Sequence, residues 1–315
     1  PLRDAGAALR RIDPVLVSTV ARGSSDHAAG YLKYIVEMAT GVPVASLGPS
    51  VVSIYRRRLR LAQSACIGIS QSGRSPDIVD MMTGAREGGA LAIAITNATE
   101  SPLAAACDIS LPLHAGPERS VAATKTFVSS VAASLALCAD WTGDAALSDA
   151  VAALPDQFEA ALGCDWKPLS DRLARAPALY VLGRGPGYAI ANEMALKFKE
   201  TCALHASAYS AAEVLHGPAA IVRSGFPVLA LAVDDAAAAQ VTETSERLAQ
   251  QGADVFLTRS GGTGTVTLPS VPDVHPMTAP LVLAVSFYGF VEALARRRGL
   301  DPDAPPYLQK VTETV

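Results

Sequence analysis

Glu193, Lys197 and Glu200 recur at i, i+4 and i+7, a spacing that puts two carboxylates and one ammonium on a single helix face. On spacing alone the stripe reads as a solvated Glu–Lys face. Its neighbours Ile190, Met194, Leu196 and Phe198 are apolar, however, which singles that charged face out. Further on, Glu213 and His216 stand three apart before Gly217–Pro218; a lone histidine at such a turn reads first as structural. His27, His114, His205 and His275 show no metal-ligand spacing with one another, so no metal is expected.

Two short loops are built of small and hydroxyl-bearing residues: Arg22–Gly23–Ser24–Ser25, and Ser70–Gln71–Ser72–Gly73–Arg74–Ser75. Each lies between a strand pattern and a helix pattern. Small residues let the backbone approach a ligand, and hydroxyls with helix N-terminal N–H groups supply donors, which together make an anion or phosphate cradle. Capping by Ser25 and Ser75 accounts for either loop taken alone; two such loops at adjacent strand ends point to a ligand. Neither fits GxxxxGK[ST] or GxGxxG, and Gly183–Arg184–Gly185–Pro186–Gly187 approaches the latter out of place. A third segment, Glu118 to Lys125, opens a long helix with Glu118 near its positive end.

The elements that must position these residues come as apolar, β-branched runs alternating with longer helical patterns. Val15–Ala21, Ala65–Ser70, Ala90–Thr96 and Ile109–Leu113 read as strands, with helices over Asp26–Thr40, Ser75–Glu87 and Val121–Trp141. The second half repeats the order: strands Ala178–Leu182, Val228–Val233, Asp254–Thr258 and Val266–Leu268, with helices Gly187–Leu204, Ala236–Gln251 and Ala279–Arg298. Runs without alternation suit strands buried on both faces of a parallel sheet. The first strands end at Ala21 and Leu182, the second at Ser70 and Val233, offsets of 161 and 163 residues. Such near-equality is the mark of an internal duplication. Ligands of parallel sheets bind beyond the carboxyl ends of the strands, so the loops after Ala21, Ser70, Leu113 and Leu182 are the candidates. Domains are expected over 1–160 and 161–300, joined through a polar linker from Pro155 to Arg175. The proline-bearing tail 301–315 should be extended.

Composition narrows the classes. Of 315 residues 50% are hydrophobic and 18% charged, enough apolar material for full cores and against disorder. A net charge of −4 argues against broad nucleic-acid binding, and Arg56–Arg58 and Arg296–Arg298 read as solvated helix faces or ends. Five scattered cysteines without a CxxC fit buried thiols in a reducing cytoplasm. No signal segment is evident, Val15–Val20 being short and without a basic flank. Val121–Ala139, interrupted by Lys125, reads as a buried helix and not a membrane span.

Taken together, SQSG at Ser70–Gly73, ATKTF at Ala123–Phe127, GRG and EMALKFKE within Gly183–Glu200, HASAYSAAEVLHGP at His205–Pro218, and Leu308–Thr312 resemble the sugar isomerase (SIS) domain family. More narrowly they are similar to the isomerase half of glucosamine-6-phosphate synthase. The resemblance implies an α/β fold of two tandem SIS domains, each a mainly parallel, flavodoxin-like sheet flanked by helices, with a C-terminal tail closing on the active site. By position it implies that Ser70, Gln71, Ser72 and Ser75 bind phosphate and that Ser24 and Ser25 contact the sugar phosphate from the neighbouring loop. Val121 and Ala123 would also line the substrate site. Glu200 would move the proton between C1 and C2, and Lys197 would lie near the sugar oxygens. His216 would open the ring, acting from the partner subunit, and Lys310 could form a Schiff base with the ketose. Arg22 stands where the synthase pattern has cysteine, Arg74 where it has an acid and Ala123 where it has serine; the two arginines would add positive charge beside the anion. Nothing in the sequence corresponds to the synthase's glutaminase domain, and the ending Asp301–Thr314 resembles SIS-type glucosamine-6-phosphate deaminases. The expected activity is therefore conversion of glucosamine 6-phosphate and water to fructose 6-phosphate and ammonia. The mechanism that the resemblance implies requires no redox cofactor either. Alternatives are action on galactosamine 6-phosphate or a fructosamine-type 6-phosphate, or a sugar-phosphate sensor without turnover. The expected partners are a small amino sugar phosphate and a second copy of the chain sharing active sites, with neither nucleic acid nor membrane.

Overall fold

Ser64–Ser70 is buried along its whole length, as an unalternating run of small and apolar side chains must be when both sheet faces are covered. It is the central strand of the first of two units in the computed structural model, which describes residues 1–308.

The first unit comprises Pro1–Arg119 and Ala123–Val151. Its elements are α1 (Leu2–Ile12), β1 (Leu16–Val20), α2 (Ser24–Thr40), β2 (Val44–Ser46), α3 (Ser50–Ser53), β3 (Ser64–Ser70), α4 (Pro76–Glu87), β4 (Leu91–Thr96), α5 (Pro102–Ala106), β5 (Ile109–Pro112), α6 (Lys125–Thr142) and α7 (Ala145–Ala152). The strands pair in the order β2-β1-β3-β4-β5, every neighbour parallel, with Ile67 beside Ile93. One core packs Ile78, Met81 and Met82 of α4 and Leu103 of α5 against Val20, Cys66, Ala92 and Ala94. Elsewhere α6 packs on α1 and α2.

The second unit holds Ser120–Ala122 and Ala152–Leu308. It runs α8 (Leu154–Leu162), α9 (Lys167–Leu173), β6 (Ala178–Gly183), α10 (Pro186–Cys202), β7 (His205–Ser210), β8 (Pro227–Ala230), α11 (Ala238–Gln250), β9 (Asp254–Leu257), β10 (Val266–Thr267) and α12 (Ala279–Arg297). Its order, read from the β7 edge, is β7-β6-β8-β9-β10, again all parallel. The two sheets thus share one 2-1-3-4-5 topology, the flavodoxin-like order. Phe198 of α10 meets Phe287 of α12 edge-on, centroids 5.1 Å apart. The Arg298 guanidinium, at the end of α12, donates to the carbonyls of Cys202 (2.9 Å), Leu173 (2.8 Å) and Ala176 (3.1 Å), satisfying acceptors at two other helix ends. By length and composition α12 could cross a membrane, but most of it is buried inside this unit.

The duplication extends to backbone torsions. Gly23 and Gly185, which enter α2 and α10, have φ/ψ of 55°/−133° and 55°/−134°, and both helices run 17 residues. That corner is one an L side chain rarely adopts, so glycine recurs there for the same reason in each half.

Several expectations change. The strands β2 and β7 were not foreseen; both are edges of their sheets, and β7 reads His-Ala-Ser-Ala-Tyr-Ser, without the continuous apolar run of a covered strand. Helices α8 and α9 occupy the expected linker, because Leu154, Ala161, Leu169 and Leu173 are buried. Helix α6 starts at Lys125, four residues after the expected Val121, because Glu118 caps it there. Residues 301–308 bend and turn instead of extending, and Arg56–Arg58 lie in exposed coil after α3, where Arg58 meets Glu87 at 3.2 Å.

Candidate functional site

In the first unit the two hydroxyl-rich loops follow β1 and β3, which are neighbours in the sheet. Ser24 and Ser25 are the first two residues of α2, and its N-cap is Gly23, so Ser25 is not a capping residue. Ser75 is the N-cap of α4 but makes no side-chain capping bond. The Gly73 amide donates to Ser70 Oγ (3.1 Å) and the Arg74 amide to Ser72 Oγ (3.4 Å). A hydroxyl that accepts from its own loop keeps its proton to donate, which suits an anion. Gly73 has φ 61°, and a Cβ there would lie 2.1 Å from Ser101 Oγ, so the tight turn needs glycine twice over. Gln71 and Ser72 are half-buried.

Arg22 behaves differently from the expectation. Its Nη2 donates to Asp77 Oδ2 at 2.8 Å, and the Asp77 side chain is almost fully buried. Its charge is thus largely offset, and the ion pair clasps the two cradle loops together. Arg74 is exposed and brings the positive charge that Arg22 does not. Beyond the cradle, the buried Glu118 carboxylate accepts from the amides of Thr124 (3.2 Å) and Thr126 (2.8 Å) and from Thr126 Oγ1 (2.8 Å). The N-terminus of α6 is therefore filled by the chain's own anion.

In the second unit the Glu–Lys stripe is not solvated. Glu193 and Lys197 are each 1% exposed, and Glu200 is 21% exposed. Lys197 Nζ donates to Glu200 Oε2 and lies 3.5 Å from Glu193 Oε1. An ammonium taken out of water costs several kcal/mol unless paired; here one helix face supplies a carboxylate on either side. Glu200 alone of the three reaches solvent, so the group offers one accessible carboxylate beside a dry cation. Tyr288 on α12 donates to Glu193 Oε1 at 3.0 Å, a partner 95 residues away that no local pattern announces. His216 ends a single 3-10 turn, Glu213–His216, and is exposed. Among the described residues it has no hydrogen-bond partner, so it is not the satisfied structural histidine that the turn suggested. The segment after it is held by Tyr180, whose hydroxyl donates to the Pro218 carbonyl at 3.0 Å.

A family model for the SIS domain matches residues 17–139 and 172–262, spanning the loops and α10 just described. The chain belongs to the SIS domain family. A glutamine–fructose-6-phosphate aminotransferase (isomerizing) of Halobacterium salinarum is 34% identical over 312 residues, covering 92% of this SIS chain and 50% of that protein. The chain spans about half the length of the curated relatives it matches. A solved structure from Silicibacter pomeroyi, provisionally described as a phosphosugar isomerase, is 52% identical with a TM-score of 0.93, covering 96% of this chain and 92% of that one. Glucosamine-6-phosphate deaminase from Thermotoga maritima has a TM-score of 0.79 at 22% identity, covering 99% and 98%, a likeness of fold.

The remaining expected residues of this SIS chain divide. Ala123 stands just before Thr124, the N-cap of α6, in the first unit. Val121 belongs to the second unit, where its amide donates to the Asp303 carbonyl (3.5 Å) and the Ser120 hydroxyl donates to the Asp303 carboxylate. Lys310 lies outside the described residues. The cysteines offer little chemistry: none is in a disulfide, and burial pushes Cys66 and Cys138 up to about 11 and Cys107 up to about 12, so these stay thiols at neutral pH.

Proposed function

We propose that this SIS chain is an enzyme of aldose–ketose chemistry on a hexosamine 6-phosphate, and that it deaminates glucosamine 6-phosphate to fructose 6-phosphate and ammonia. The observation that carries the reading is the Lys197 ammonium buried between Glu193 and Glu200, with only Glu200 open to solvent. A single accessible carboxylate beside a desolvated cation suits proton transfer at carbon next to an oxygen that gains negative charge. The hydroxyl-lined loops at Ser24–Ser25 and Ser70–Ser75 support binding of the phosphate, and the relatives named for fructose 6-phosphate and phosphosugars agree with that substrate class.

In this reading the cradle residues Ser24, Ser25, Ser70, Gln71, Ser72 and Ser75 hold the phosphate, so that remote binding orients the reacting carbons. His216, supplied by the second copy in a homodimer, takes part in opening the ring. Glu200 takes the proton from C2 of the open-chain aldose and returns it to C1 through an enolamine, while one proton of the substrate's own C2 ammonium passes to O1. The C2 iminium so formed adds water and expels ammonia, leaving the C2 ketone of fructose 6-phosphate. Lys197 donates to the sugar oxygens while charge develops. Lys310, outside the described residues, would offer an alternative Schiff-base route for the same hydrolysis.

Purified protein given glucosamine 6-phosphate without glutamine should release ammonia and fructose 6-phosphate in equal amounts. Glu200→Gln should lower kcat roughly 10²–10⁴-fold with ligand affinity kept. Full activity in that variant removes Glu200 from the mechanism. No ammonia from glucosamine 6-phosphate, with release from galactosamine 6-phosphate or of an amino acid from a fructosamine-type 6-phosphate, moves the substrate within the class. Tight binding with no product from any of them makes the chain a sensor.

A further inference from the structure

The hydroxyl of Tyr288 enters the catalytic face of α10 from α12, donating to Glu193 Oε1 at 3.0 Å. The same oxygen is 3.5 Å from Lys197 Nζ, and that nitrogen donates to Glu200 Oε2 in a shorter contact. Four side chains from two helices thus form one line, three of them on α10 and the last, Glu200, meeting solvent. We propose that Tyr288 is a positioning residue which, through Glu193, holds the Lys197 ammonium against Glu200; this rests on the role assigned above to Glu200.

Two carboxylates compete for one ammonium in a nearly dry setting. The phenolic hydrogen bond draws charge from Glu193 Oε1 and so weakens that oxygen's pull on Nζ. Without the hydroxyl, Glu193 loses a donor in a place where water hardly reaches, and leaving a buried acceptor short is costly. Lys197 Nζ, 3.5 Å away, is a charged donor at hand among the described residues. Glu193 and Lys197 are one helix turn apart, so side-chain torsions suffice to close the remaining gap. The ammonium would then withdraw from Glu200, leaving the proton carrier without the contact that orients it and the substrate oxygen without its cation. Because this contact matters while the proton moves, its loss should appear in kcat and not in KM. Phenylalanine keeps the ring, which packs beside Phe287 with centroids 6.0 Å apart, and removes only the oxygen.

The experiment compares wild type, Tyr288→Phe, Glu193→Gln and the double variant. Tyr288→Phe should lose about tenfold in kcat with KM unmoved, the scale of a charge-assisted hydrogen bond. Since the hydroxyl acts through Glu193, the double variant should be no slower than Glu193→Gln. Undiminished kcat, a change confined to KM, or losses that multiply would each overturn the proposal. A crystal structure of Tyr288→Phe reads the same point without turnover: Nζ should lie nearer Glu193 than Glu200, and an unaltered Lys197–Glu200 contact overturns it. If wild type turns over no hexosamine phosphate, the proposed activity fails while that structure still decides the role of Tyr288.

Discussion

Gly73 shows how one residue can set the shape of a loop. Its φ of 61° costs an L side chain roughly 1–2 kcal/mol, and a Cβ pressed on Ser101 adds overpacking of about 1–3 kcal/mol. Gly73→Ala should therefore lower the unfolding free energy by about 3 kcal/mol, read from the urea midpoint, and should weaken phosphosugar binding because Ser70 and Ser72 are fixed by the same turn. An unchanged midpoint would mean that the loop relaxes and that the turn does not hold the cradle. The pair Arg22–Asp77 is a second residue-scale device, tying one cradle loop to the other. The motif SQSG made this loop legible in the sequence, but the clasp was not: Arg22 and Asp77 are 55 positions apart, and nothing local distinguishes a paired arginine from one facing a ligand.

At the scale of elements, α6 owes its starting point to Glu118. This buried carboxylate accepts from the amides and the hydroxyls of both Thr124 and Thr126, donors that an ordinary N-cap would leave to water, and it faces the positive end of the helix. Glu118→Ala should cost about 1–2 kcal/mol and lower Tm, with the change visible first as faster amide exchange at Thr124 and Thr126. A cost under about 0.5 kcal/mol would show that neighbouring hydroxyls replace it. Covered strands were readable because burial on two faces demands unbroken apolar runs, as in Leu91–Thr96. The edge strands β2 and β7 were not, since an edge meets solvent along one side and tolerates His205, Ser207 and Ser210. Polar residues in 155–175 likewise suggested a linker, although a helix needs only one apolar stripe, which Leu154 and Ala161 supply for α8.

At the scale of the whole molecule, the exposed His216, without a hydrogen-bond partner among the described residues, contrasts with the buried Glu193–Lys197 pair. If two copies share active sites, an isologous pairing places one intact site in each heterodimer of Glu200→Gln with His216→Ala. Co-expressed in equal amounts, these two inactive variants should regain about a quarter of wild-type ammonia release. No recovery, with heterodimers demonstrated by differential tagging, would place both residues in the same copy. The amino-acid sequence by itself determined the parallel α/β class, the duplication and the residues proposed for the chemistry. Those rest on local physics: periodicity, small residues at turns, and the one-face spacing of Glu193, Lys197 and Glu200. Tertiary structure alone decided which charges are dry, which are paired and which hydroxyls are spent on caps. Burial belongs to what other elements bring against a residue, and Tyr288 reaches Glu193 only because α12 packs on α10.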